Sequence, residues 1–402
     1  MDSVIKELKN IILAKLDSIN DQVFKRNSKI KITDLFFYIA NLINSPRNSS
    51  VTVTSELLIE DLVTANDSAF RKKRQLIDFK YFNEIADLIT NFYYTNMDVT
   101  KLLDKYRIFS ADGTYIQVPK ELEKDGYKLT KNGTYVNALV GGLYDINNQL
   151  IIDLNMSNKK NERDIFFNQC SYLSAGDVVV FDRNYYSERL LYDLNKMNIY
   201  PIFRMKKNNI YYKDLLETNN NEKIYEICTK KTNNIPIKIR LIKYVINKKI
   251  YVLLTTILDE NVTVNVLKEI YKKRWNIEEY FKSIKYCLSF NDFHSKSEKL
   301  IKQEIAMHKF VTNLTRTFEE IYKKNNKDNI KKSKNNFKNN ILHTTKYILK
   351  NLLYGKKYIK NIIHILTILF KYITKIRKKR KSYPRRRIKP PSIWYDKRNE
   401  VT

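Results

Sequence analysis

The hydrophobic pattern of this chain changes period once, near residue 106, and that change requires a helical region followed by an α/β domain. Up to about residue 100 the apolar residues recur at helical spacing, as in Leu35, Ile39, Leu42 and Ile43 after Thr33-Asp34, then Leu57, Leu58 and Leu62 after Ser55. From residue 106 strands take over at 106–118, 134–144 and 150–156, with Gly141-Gly142 and Asn147-Asn148 as turn or bulge punctuation. This spacing predicts an antiparallel meander. A helix over 161–173, a buried strand at 178–181, a helix over 187–197 and a strand at 200–205 follow. Together they predict a mixed sheet with helices on both faces.

Residues 206–258 read as further strand, an insertion ahead of a long helix over 261–288 and another over 297–322. The expected organisation is a helical region at 1–100 serving as a candidate DNA-binding module, then an α/β domain at 101–322 interrupted by the β-rich insertion. Residues 323–402 read as a Lys/Asn-rich linker, a helical C-terminal region and a basic tail. Within residues 68–79, Arg71, Lys72, Lys73 and Arg74 form either a DNA-contacting helix start or a solvated face.

Charge bears on the partner. Lys and Arg number 74 against 43 Asp and Glu, a formal net charge of +31, so the chain repels itself unless a polyanion neutralises it. Coding bias of an AT-rich genome is the competing source of the lysines. In the tail, eight of the eleven residues 377–387 are Lys or Arg, with Pro384 breaking any helix. Three scattered cysteines, Cys170, Cys228 and Cys287, supply neither a disulfide framework nor a zinc site, so a reducing interior is expected. No signal peptide is recognisable. The longest apolar run of the C-terminal region, 362–370, is far shorter than the roughly 20 residues a membrane span needs.

Several carboxylates stand where chemistry is placed in such folds. Asp112 precedes Gly113 in a strand, though an isolated Asp-Gly is usually a turn. Asp182 ends the apolar strand Val178-Val179-Val180-Phe181, beside Arg183, at the carboxyl end where α/β sheets carry their sites. Tyr271, Arg274, Glu278 and Lys285 are spaced by three, four and seven residues. At about 100° per residue they share one helix face, and Glu279 points away from it. The simplest alternative is an exposed ladder in which Arg274 pairs with Glu278.

The pattern Tyr-x2-Arg-x3-Glu-x6-Lys resembles the signature of the cut-and-paste insertion-sequence transposases of the group named after insertion sequence four. Asp112-Gly113-Thr114, Asp182-Arg183-Asn184-Tyr185-Tyr186-Ser187 and Phe203-Arg204-Met205-Lys206 look like the same family, and similarity spans about residues 105–316. Asn184 departs from the family's usual glycine, and Asn tolerates the positive φ such a turn would need.

The resemblance implies a ribonuclease-H-like core and a catalytic triad of Asp112, Asp182 and Glu278. It implies DNA contacts from Tyr271, Arg274, Lys285, Arg183 and Arg204. Phosphodiester chemistry at an all-carboxylate site calls for two Mg²⁺ or Mn²⁺ ions, which activate the nucleophile and stabilise the leaving oxygen. The partners expected are double-stranded DNA, as transposon ends and target, and a second copy of the chain in a synaptic dimer acting in trans through a hairpin intermediate. The protein would then work at the nucleoid of a bacterium or in a eukaryotic nucleus. The alternatives are a decayed or domesticated transposase that only binds DNA, and a ribonuclease-H-like nuclease without strand transfer.

Overall fold

The computed structural model describes residues 2–24, 29–45, 49–129, 136–159, 161–325, 337–338 and 374–375. Most of the expected linker, C-terminal helical region and basic tail lies outside the described residues. Within that stretch, Thr374–Lys375, expected in a helix, instead pairs as a short strand with Phe337–Lys338. The chain divides into two compact units, one comprising residues 99–115 and 139–282, the other 1–98, 116–138 and 283 onward.

The second of these units contains five N-terminal helices, α1 (Asp2–Val23), α2 (Ile32–Asn44), α3 (Ser50–Ile59), α4 (Asp67–Gln75) and α5 (Phe79–Asn96). Side-chain caps start three of them: Ser49 accepts from Thr52 N, Asn66 from Ala69 N and Asp78 from Lys80 N. Arg74 belongs neither to a DNA-contacting surface nor to a solvated face. It is 1% exposed and donates to Leu300 O (3.1 Å), Gln303 Oε1 (3.2 Å) and Glu304 Oε1 (3.0 Å). Arg71 pairs with Asp67 at 2.7 Å, and Lys73 sits over the Phe24 ring.

The mixed sheet has the strands β1 (Ile108–Val118), β2 (Lys128–Leu129), β3 (Val136–Asp145), β4 (Leu150–Ser157), β5 (Val178–Phe181), β6 (Tyr200–Arg204), β7 (Glu222–Ile227), β8 (Ile237–Ile246) and β9 (Lys249–Thr255), and all but β2 and the adjoining ends of β1 and β3 fall in the unit of residues 99–115 and 139–282. The order is β2-β3-β1-β5-β6-β9-β8-β7, with β4 on β3. β1, β5 and β6 run parallel, while β3/β4 and β6/β9/β8/β7 pair antiparallel. All four residues of β5 are buried, as its unbroken apolar run requires of a strand covered on both faces. Asn247 and Lys248, both at positive φ, turn β8 into β9.

The remaining helices are α6 (Glu162–Gln169), α7 (Glu188–Lys196), α8 (Ile210–Glu217), α9 (Val264–Lys273), α10 (Trp275–Cys287) and α11 (Glu298–Asn325). The all-strand reading of 206–258 is thus corrected by α8. Its Tyr212 and Leu215 are buried three residues apart, a helical spacing hidden inside a short apolar run.

Adjacent glycines explain how two helices approach β3. Successive strand residues face opposite sides. A Cβ at Gly141 would lie 2.5 Å from Ile165 Cγ2 of α6, and one at Gly142 would lie 2.8 Å from Phe281 Cζ of α10. Gln169 Nε2 secures α6 by donating to Gly141 O (3.1 Å) and Asp153 Oδ2 (3.0 Å). Among the described residues no helix is long and apolar enough to cross a membrane. Cys170 is buried and Cys228 exposed, and both are free.

Candidate active site

Parallel register sets the site's first row. β1 and β5 pair from Ile108↔Val178 to Ala111↔Phe181, and β5 pairs with β6 as far as Phe181↔Phe203. One residue further along each chain stand Asp112, Asp182 and Arg204. They are neighbours just past the last paired residues of the three parallel strands, which lie about 4.8 Å apart; β5 and β6 end here, whereas β1 runs on to Val118.

The helix expected over 261–288 is two helices, α9 and α10, that meet at Arg274. Thr263 caps α9 through Val266 N, and a tight Arg274 N to Tyr271 O bond of 3.2 Å closes its last turn. Arg274 keeps helical dihedrals across the break. Its guanidinium, 5% exposed, donates to Glu278 Oε1 at 2.7 Å and to Asp112 Oδ2 at 3.3 Å. The i,i+4 pair foreseen as a simple ladder is therefore present but buried and shared with a second carboxylate. Buried Arg274 Nε finds no acceptor among the described residues. Glu279 instead pairs with Lys282 at 2.7 Å, with its side chain 42% exposed.

Burial pushes the Asp112 carboxyl up to about 6. Arg274 and the Gly113 N–H pull the other way, while Glu162 and Glu278 add to the rise. Tyr271 is pushed up to about 12, chiefly by burial. Lys285, on the last turn of α10, is lowered to about 8 by burial. Arg183 and Arg204 share a cleft of about 520 Å³ with Lys206, Lys207 and Tyr251, and the Arg204 guanidinium lies 4.6 Å from the Tyr251 ring centroid. Asn184 is not among the described residues at positive φ, so its Cβ meets no conformational obstacle.

Three further residues join this cluster. Glu162, in the first turn of α6, lies against Gly113, where a Cβ would be 2.8 Å from its Oε1. Its carboxyl is raised, first by burial and then by Asp182, while a hydrogen bond from Tyr185 opposes the rise. Arg163 donates to the carbonyls of Asn184 (2.6 Å) and Tyr186 (3.3 Å) in the loop after Asp182. The sequence signal was weak, because acidic residues after a cap such as Asn161 are ordinary helix starts.

Among the described residues no three His, Cys, Asp or Glu side chains stand close enough to hold a metal ion. Arg274 instead supplies the positive charge between Asp112 and Glu278. The donor set itself fits a hard divalent cation, since it offers carboxylate oxygens alone and the desolvated Asp112 carboxyl gains from a cationic neighbour.

No curated protein sequence matches the chain. One solved structure with similarity is that of the piggyBac transposase synaptic complex with hairpin DNA, at 10% identity and a TM-score of 0.49, covering 91% of this chain and 85% of that one. The family profile described as the transposase DDE domain matches residues 103–314, more than half of the sequence. The chain therefore belongs to the DDE transposases, enzymes that cut DNA with the help of divalent metal ions.

Proposed function

We propose that this DNA transposase is a cut-and-paste enzyme of the insertion-sequence-four group that cleaves and rejoins transposon ends with Asp112, Asp182 and Glu278. The observation that carries this reading is the register of β1 and β5, which leaves Asp112 and Asp182 adjacent while Arg274 draws Glu278 to the same place. The strand order β3-β1-β5-β6, with β3 antiparallel to β4 and with β1, β5 and β6 parallel, supports a ribonuclease-H-like core. Residues 1–100 are then a DNA-binding module, and β7 to β9 belong to an insertion ahead of the catalytic helix.

Asp112, Asp182 and Glu278 would hold two Mg²⁺ or Mn²⁺ ions. Bound there, the ions would supply activation of the attacking water or 3′-hydroxyl and stabilisation of the leaving oxygen. The chain's own groups bind and orient the DNA. Arg274 offers its unused Nε to a phosphate. Lys285, lowered to about 8, regains full charge beside an anion. Arg183 and Arg204 present further positive charge along their cleft. A dimer holding both ends, each cut in trans through a hairpin, completes the reaction.

The test uses the full chain and DNA carrying the inverted repeats that flank its coding region. Mg²⁺ or Mn²⁺ supports cleavage, whereas Ca²⁺ permits binding with little chemistry because its looser coordination suits the transition state poorly. Full cleavage in excess chelator after metal removal would overturn the metal assignment.

A further inference from the structure

We propose that Glu162 and Arg163 are positioning residues that grip the Asp182 loop from α6 and thereby set the divalent-metal affinity of the transposase. The inference rests on reading Asp112 and Asp182 as metal-holding carboxylates.

The loop in question runs from Asp182 to the Ser187 cap of α7. Only four residues separate these points, and its one internal backbone hydrogen bond among the described residues is Tyr185 N to Asp182 O at 3.1 Å. Position must therefore come from outside, and α6 provides it twice. The fully buried Tyr185 side chain hydrogen-bonds Glu162, and Arg163 spans the carbonyls of Asn184 and Tyr186. One guanidinium nitrogen, Arg163 Nη2, donates to both carbonyls and so ties two points of the loop backbone to α6.

The foundation of this grip is rigid. α6 lies so close to β3 that Gly141 has no room for a Cβ beside Ile165, and Gln169 ties the helix to Gly141 O and Asp153. One turn before Ile165, Glu162 fills the space left by the missing side chain of Gly113, directly after Asp112. One short helix thus touches the backbone beside Asp112 and the loop that carries Asp182. That pair of contacts fixes the two candidate ligands relative to each other. Groups that orient metal ligands in this way change metal affinity about 10- to 100-fold when removed.

The experiment measures Mn²⁺ binding to the full-length protein by electron paramagnetic resonance of free Mn²⁺, alongside cleavage as a function of Mn²⁺. Arg163→Met and Tyr185→Phe are each expected to weaken Mn²⁺ binding roughly tenfold or more. Both should move the Mn²⁺ concentration for half-maximal cleavage more than the rate at saturating Mn²⁺, and Arg163→Lys should recover part of the loss. Tyr185→Phe keeps the buried ring and decides the matter if Arg163→Met does not fold. Unchanged Mn²⁺ affinity in the folded variants would overturn the proposal. Asp182→Asn separates it from the reading beneath: if that variant still binds Mn²⁺ and cleaves, the site assignment fails. If it loses both while the α6 variants lose neither, the clamp alone falls.

Discussion

The Phe281 ring rests on the bare backbone of Gly142, so close that a Cβ there would lie 2.8 Å from Cζ and 3.3 Å from Cε1. Phe281 follows Glu278 by three residues, so this contact sets how near α10 brings its carboxylate to β1. Gly142→Ala should force the ring away and destabilise the protein by about 1–3 kcal/mol, the usual cost of overpacking. Cleavage should fall by more than the folded fraction explains, and Phe281→Leu should restore part of it in the double variant. Urea unfolding and end cleavage measured together check both statements. Wild-type stability in Gly142→Ala would show that the helix has slack.

Arg274 is engaged by two carboxylates, and burial lowers the Lys285 amine to about 8. If both meet phosphates, Arg274→Ala and Lys285→Ala should each weaken end binding and reduce the slope of log affinity against log salt by roughly one. Fluorescence anisotropy at several salt concentrations measures this. Slopes equal to wild type would leave Arg274 as an internal bridge only.

Arg74 shows the cost of a buried charge with few alternatives. Its partner Glu304 would be raised by burial alone, but the His294 hydrogen bonds and Arg74 hold it down to about 2. Arg74→Met removes the guanidinium and strands that carboxylate, so a loss of about 3–5 kcal/mol is expected. Replacing Glu304 with Gln in the same chain should return part of the loss. Denaturant midpoints of the two variants give the comparison.

The outline of the sheet unit was legible because β5 is an uninterrupted apolar strand and α7 an amphipathic helix, each with one reading. The four-residue spacing of Arg274 and Glu278 likewise read through to a real contact. What escaped depended on partners distant in sequence. Arg74 looks like one more surface cation until α11 brings Glu304, 230 residues away, against it. Glu162 looks like a helix-start acid until Gly113 and Tyr185 surround it. The break at Arg274 has no proline or glycine to announce it. Its carbonyl lies 3.5 Å from Ser110 Oγ, a contact that exists only once β1 is in place.

Acid should weaken the fold through His308, fully buried against Phe290. Burial dominates and holds its imidazole down to about 3, with His294 lowering it further and Glu304 opposing. A base with a folded pKa below its unfolded value near 6.5 is neutral in the fold, and unfolding lets it take up a proton. Its stabilising contribution is therefore full above about pH 6.5 and is lost progressively as pH falls toward 3. The linkage amounts to about 2 kcal/mol between pH 7 and 5. Glu304, depressed to about 2, loses its contribution only in the lower window from about 4.5 to 2. Urea unfolding at pH 7, 6 and 5 should show the decline, and His308→Leu should flatten it. An equal slope in wild type and His308→Leu would assign the acid sensitivity to another group.

Glu278 and Glu279 are adjacent carboxylates with opposite surroundings, which makes them a direct test of the triad. Glu278 is joined to the buried Arg274, which also holds Asp112, whereas Glu279 faces Lys282 in a largely exposed pair. Exposed pairs contribute about 0–1 kcal/mol, so Glu279→Gln should be nearly silent in stability and mild in cleavage. Glu278→Gln keeps the shape and a hydrogen-bond acceptor for Arg274 but removes the negative charge that would attract a divalent cation. Cleavage should fall about a thousandfold or more, equivalent to roughly 4 kcal/mol of barrier, while end binding persists. Helix geometry supplies the contrast, since neighbours diverge by about 100° and only one of them can join Asp112 and Asp182. Gel shift and cleavage on the same preparations read both properties at once. Should Glu279→Gln prove inactive while Glu278→Gln cuts normally, the helix phase and the triad assignment would fail together.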